Sequence, residues 1–167
     1  LNGGFWKCSG AMLNNTSSDL TPYFMTARHC MTDNTGALNS LEVYWFFQTP
    51  SCNGVAPAMG SVPRSTRSTY VLTTAQTDMS MVLIEVLASQ HRVDHDGGDG
   101  ALLVLLQAGV ANNTQVVGIH HPDGAFKRLS NGPITSESVS CDATGLTQGM
   151  IVTWSGGTTE GGSSGSP

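Results

Sequence analysis

The apolar residues of this chain come in short bursts, each closed by a cluster of Gly, Asn, Asp, Ser or Thr. The longest wholly apolar run is Ala101–Leu106. Runs of this length suit strands and are far too short to cross a bilayer as a helix. Candidate strands are Phe5–Cys8, Tyr23–Thr26, Leu41–Phe47, Tyr70–Thr73, Met81–Leu87, Leu102–Leu106, Gln115–Ile119 and Met150–Trp154. Breakers such as Asn14–Asp19, Asp33–Gly36 and Asp94–Gly100 separate them. Leu41–Phe47 is rich in the aromatic and branched residues that pack on a pleated surface. Only Arg28–Thr32 reads as a brief helix. The 20 glycines and a charged content of 11% agree with an all-β chain of many turns. At 167 residues it is one ordinary domain or two small ones, with Ser89–Gly100 as the best boundary.

Charge narrows the partners. The net charge is −5 and the seven Lys and Arg are scattered, so no basic stripe is available to neutralise phosphates. Nucleic acid and membrane are therefore not expected partners. No export signal is read in the opening Leu1-Asn2-Gly3-Gly4, so for a secreted protein it would lie upstream. Four cysteines, Cys8, Cys30, Cys52 and Cys141, show no Cys-x-x-Cys spacing. In a chain rich in Ser, Thr, Gly and Asn they fit disulfides made in an oxidising compartment. Three pairings are open, and the sequence does not choose among them.

Three local signals carry chemistry when read together. His29 follows the apolar segment Tyr23–Met25 and precedes Cys30, which can anchor its turn. A histidine fixed just past a strand end is an accessible general base whose ordinary pKa suits neutral pH. Asp78 opens the apolar stretch Met79–Ile84, where a charge drawn inward needs a partner such as an imidazole N–H. Ser164 lies in Gly162-Ser163-Ser164-Gly165-Ser166-Pro167, where flanking glycines permit a tight turn that aims backbone N–H groups at a developing oxyanion. Taken singly, each has a plainer reading: a structural histidine, a turn aspartate, a flexible Gly/Ser linker over Gly156–Pro167. The order His, Asp, Ser, with gaps of 49 and 86 residues, favours the joint reading. It places His29 and Asp78 on one β-barrel, within residues 1–90, and Ser164 on the next, within residues 91–167.

The chain also resembles the bacterial lysyl endopeptidase group of chymotrypsin-fold serine peptidases. The resemblance is carried by Cys8-Ser9-Gly10 with Met12–Asn15, Tyr23–Cys30, Asp78–Val82, His120-His121-Pro122 with Lys127–Ser130, and Glu160–Pro167. It implies two packed antiparallel β-barrels, the second completed by strands beyond Pro167. It further implies a secreted, monomeric endopeptidase that acts on proteins or peptides without a cofactor. His29 would be the general base, Asp78 its orienting carboxylate and Ser164 the nucleophile, with the backbone N–H groups of Gly162 and Ser164 as oxyanion hole. Cys8 and Cys30 would form a disulfide around the histidine turn. Glu160 would be an acidic residue at the rim of the specificity pocket. Leu102–Gln107 stands where the group carries a tryptophan-bearing segment, and Thr158, six residues before Ser164 at the position that sets the charge of the pocket base in trypsin, is neutral. Cys52 and Cys141 either pair with each other or have partners outside the chain.

Other chemistries fare worse. His120 and His121 with Asp94, His95, Asp96 and Asp99 lack calcium-loop or His-Glu-x-x-His spacing, so no metal is expected. An esterase of the α/β-hydrolase type would need Gly-x-Ser-x-Gly and a histidine last in order. A trypsin-fold binding protein that has lost catalysis is the remaining alternative, and such proteins usually lack one triad member.

Overall fold

The computed structural model describes residues 6–17, 19–31, 35–86, 110–141 and 146–167, with the side chains of 86, 137–141 and 146–148 left aside. The strand expected at Leu102–Leu106 and the boundary at Ser89–Gly100 lie outside those residues. Among the described residues eight strands, β1 (Ala11–Leu13), β2 (Tyr23–Ala27), β3 (Glu42–Tyr44), β4 (Arg64–Thr74), β5 (Met79–Val86), β6 (Gln115–His120), β7 (Arg128–Cys141) and β8 (Leu146–Val152), form two antiparallel sheets. The first sheet has the order β1-β2-β5-β4-β3, the second β6-β7-β8. The expected all-β architecture is what the chain adopts.

Alternation builds the first sheet. Along β5, Ser80, Val82 and Ile84 point inward and are 0–2% exposed, as a two-residue period requires. Val82 and Ile84 join Met12, Phe24, Met31, Leu38 and Val43 in one core, with Trp45 and Tyr70 packed against it. Burying each of these aliphatic side chains stabilises the fold by about 1.5–3 kcal/mol. The buried hydroxyls are satisfied: Ser65 accepts from the Trp45 indole N–H at 2.8 Å, and Ser80 bonds Thr73 at 3.0 Å.

Several elements differ from the sequence reading. The strand expected over Leu41–Phe47 ends at Tyr44. Trp45 is held by Ser65 and packs edge-to-face on Phe24, and Phe46 takes φ +54°, which turns the chain out of the sheet. A helix, α2 (Thr35–Ser40), stands where a breaker was expected. Leu38 drives it by entering the core, overriding the weak propensities of its neighbours. The brief helix expected near Arg28 is α1 (Arg28–Met31). β1 and the long β7 were not expected at all.

Register then delivers chemistry. β2 and β5 pair with Ala27 opposite Met79, so the residues just beyond that pair, Arg28–His29 and Asp78, come level at one sheet edge. In the second sheet, β6 buries His120 and leaves Val117 and Ile119 exposed, again by alternation.

Cys8 and Cys30 form a disulfide that ties the segment before β1 to α1. Closing that loop of 22 residues' separation restricts the unfolded chain by about 3 kcal/mol. The double variant Cys8→Ser/Cys30→Ser is therefore expected to lose about that much stability, read by urea unfolding as a lower midpoint with a steeper slope, because the unfolded chain freed of its cross-link exposes more surface. A loss under about 1 kcal/mol would contradict this account. Cys52 is free and exposed, while the Cys141 side chain lies outside the described residues.

Candidate active site

Asp78 closes the turn between β4 and β5 with φ +50°, a left-handed conformation that aspartate tolerates better than most residues. Three contacts fasten it to the start of α1. Its carbonyl accepts from Arg28 N–H at 2.8 Å, and Oδ1 accepts from His29 N–H at 3.0 Å. Oδ2 then faces His29 Nδ1 at 2.5 Å. A carboxylate only accepts, so Nδ1 carries the proton and Nε2 keeps a free lone pair. The Asp78 side chain is 13% exposed against 36% for His29, an oriented anion behind an accessible imidazole. No further charge is required to fix the tautomer.

Ser164 comes from a loop laid against the end of β2 and the start of α1. Its carbonyl accepts from Ser9 N–H at 2.8 Å and lies 4.0 Å from the Cys30 sulfur, the residue after His29. Gly165 takes φ +82°, and a Cβ there would come within 2.4–2.5 Å of Thr26 Oγ1, Ala27 N and Ser9 O. Only glycine fits where this loop touches the end of β2. Gly162 takes φ +95°, and a Cβ there would come within 2.9–3.2 Å of the backbone of His121, Gly124 and Asp123.

Within the loop, Ser163 N–H donates to Glu160 O at 3.0 Å and Ser166 N–H to Ser163 O at 3.1 Å. Among the described residues, the N–H groups of Gly162 and Ser164 have no acceptor. Alternate donors in one turn are thus left for something else to fill. Glu160 is exposed at the loop's mouth, and Thr158 turns its carbonyl to Ser130 Oγ at 3.1 Å. A cavity of about 550 Å³ lined by Ser9, Cys30, Trp45 and His121 backs onto the loop, and neither His29 nor Ser164 lines it.

Two residues with clear geometric roles carried no chemical signal in the sequence. Ser9, only 5% exposed, joins four segments. Besides its N–H bond to Ser164, its hydroxyl donates to Gly162 O at 2.8 Å and accepts from His121 N–H at 2.9 Å. Its carbonyl accepts from Thr26 Oγ1 at 2.7 Å. His120, just past the candidate strand Gln115–Ile119, is buried between Ser130 and Ser163. Its place within His-His-Pro marked the segment but not the partners. Among the described residues no three His, Cys, Asp or Glu side chains gather as metal ligands, and Asp94, His95, Asp96 and Asp99 lie outside them. No helix among the described residues is long and apolar enough to cross a membrane.

With this geometry in view, the family model described as "Lysyl endopeptidase, C-terminal domain" matches residues 1–167. The chain belongs to the lysyl endopeptidase C-terminal domain family. It is 31% identical over 167 residues to the lysyl endopeptidase of Pseudomonas aeruginosa strain PAO1, covering 99% of this chain and 34% of that protein. It therefore spans about a third of that relative's length. The crystal structure of Deg5 superposes with a TM-score of 0.51 at 14% identity, covering 95% of this chain and 66% of Deg5. That likeness shows the fold alone.

Proposed function

We propose that the protein carrying this chain is a secreted serine endopeptidase, with Ser164 as nucleophile, His29 as general base and Asp78 as its orienting carboxylate. The observation that carries the reading is the Asp78 clamp, which holds His29 with Nε2 free beside a loop bearing Ser164. Ser164 Oγ attacks the peptide carbonyl as His29 Nε2 takes its proton. The N–H groups of Gly162 and Ser164 receive the oxyanion. His29 returns the proton to the departing amine, and water repeats the cycle on the acyl-enzyme. Asp78 stays ionised throughout and balances the imidazolium.

The substrates are proteins or peptides, cut after lysine. Family membership and the exposed carboxylate of Glu160 at the loop's mouth support that preference. The complete gene product, secreted into an oxidising compartment and acting as a monomer, is expected to take a fluorophosphonate label. Peptide mass spectrometry should locate it at Ser164, and a Ser164→Ala control should lose it. Peptide profiling should then show cleavage after lysine over arginine and leucine. A folded, full-length protein that takes no label at Ser164 would instead be a binding homologue of the trypsin fold.

A further inference from the structure

Behind the proposed nucleophile runs a buried chain of hydrogen bonds that the peptidase reading does not use. His120 is 1% exposed, Ser130 is 1% and Ser163 is 7%. Ser163 Oγ lies 2.8 Å from His120 Nδ1, and Ser130 Oγ lies 2.9 Å from His120 Nε2. At either end stands a backbone group whose role is fixed: the Thr158 carbonyl accepts from Ser130 Oγ at 3.1 Å, and Glu160 N–H donates to Ser163 Oγ at 3.1 Å.

Those ends set the direction of every bond between them. A carbonyl cannot donate, so the one Ser130 hydroxyl proton points to Thr158. Ser130 Oγ must then accept from His120, which puts the imidazole proton on Nε2. Nδ1 is left bare and accepts the Ser163 hydroxyl proton. Ser163 Oγ in turn accepts from Glu160 N–H. Five groups are satisfied in one polarised line, and only the neutral Nε2–H tautomer satisfies all of them.

We propose that His120, as neutral Nε2–H imidazole, is a positioning residue that locks Ser163 and thereby sets the Gly162–Ser164 turn. This rests on the reading of Ser164 as nucleophile. Ser163 immediately precedes Ser164, and its hydroxyl is its anchor to the second sheet through β6. Loss of that anchor frees the turn to move, and a displacement near 1 Å at reacting atoms costs about 10²-fold in rate.

Burial pushes His120 below its ordinary value of 6.5, opposed by the Glu160 carboxylate. The other charged or titratable groups nearby are engaged elsewhere: Arg128, opposite His120 on β7, stacks over Phe126 at 3.9 Å, and His121 Nδ1 faces the Ala125 carbonyl. Below about pH 6.5 the unfolded chain takes up a proton that folded His120 resists. The network's stability is therefore full above that pH and declines as pH falls through it towards the lower folded value.

The test uses the full-length protein. Ser163→Thr keeps the hydroxyl and Ser163→Val replaces it at equal size. Val is expected to show kcat about 10²-fold below Thr, with KM within about three-fold. Equal kcat for the two overturns the positioning role. Histidine ¹⁵N NMR, with the His120 signal assigned by its loss in His120→Gln, provides a second arm on wild-type protein. The expected result at pH 8 is a protonated Nε2 and bare Nδ1, with protonation setting in below the ordinary histidine value. A Nδ1–H tautomer, or titration at the ordinary histidine value, overturns the proposal even if neither Ser163 variant folds. The NMR arm is independent of labelling: a bare Nδ1 without Ser164 labelling would sink the peptidase reading while leaving the His120–Ser163 lock in place.

Discussion

Replacing His29 with alanine in the full-length protein is expected to lower kcat by about 10⁵- to 10⁶-fold, with KM changed by less than about ten-fold. The Ser164 hydroxyl is a weak nucleophile at neutral pH, and His29 is a base that the Asp78 carboxylate orients. The same loss should appear for Ser164→Ala and for the double variant, because nucleophile and base act as one unit. A residual rate of about 10³ over water should survive all three, since the Gly162 and Ser164 N–H groups do not depend on either side chain. Steady-state hydrolysis of a lysyl ester and a lysyl amide measures both points. Additive losses would mean that His29 and Ser164 do not work on the same proton. His29 lies on the surface side of its clamp, so its removal should leave the unfolding free energy in urea within about 1 kcal/mol of wild type, which separates lost chemistry from lost fold.

The parts of this site that are local in sequence were legible there. His29 beside a cysteine, Asp78 before an apolar strand and a serine between glycines each announce a backbone setting, and the structure provides those settings. The strand register that levels Asp78 with His29 was not legible, because it follows from the pairing of Ala27 with Met79 across 52 residues of chain. Nor was Ser9, whose four bonds join segments up to 155 residues apart and leave no periodic trace. The burial of His120 was not legible either, because facing inward is a property of the sheet, not of His-His-Pro. The same limit explains α2 and the shortened β3. In both, one large side chain, Leu38 or Trp45, finds a tertiary partner that outweighs the local preference of its neighbours.

Asp78→Asn is expected to keep the fold and lose about 10⁴-fold in kcat, for a reason the clamp makes specific. Asparagine tolerates the φ of +50° at this position as well as aspartate does, so the turn itself should survive. The His29 N–H, 3.0 Å from Oδ1, needs an acceptor and will hold the amide oxygen there. The amide nitrogen is thereby forced to the Oδ2 position, with its protons directed at His29 Nδ1. Nδ1 must now accept, the imidazole proton moves to Nε2, and the base has lost the lone pair that Ser164 requires. Turning the amide over would restore the imidazole but strand a backbone donor against an NH₂ group, which costs about 1–3 kcal/mol. The variant should therefore be correctly folded and poorly active, with the His29 tautomer reversed in ¹⁵N NMR. Asp78→Ala is the useful contrast. It leaves both His29 donors without their acceptor and places a residue with no tolerance for positive φ at the turn. Stability should fall along with rate. If Asn proves as active as Asp while the His29 tautomer is unchanged, the clamp does not govern the base and its orientation must come from elsewhere.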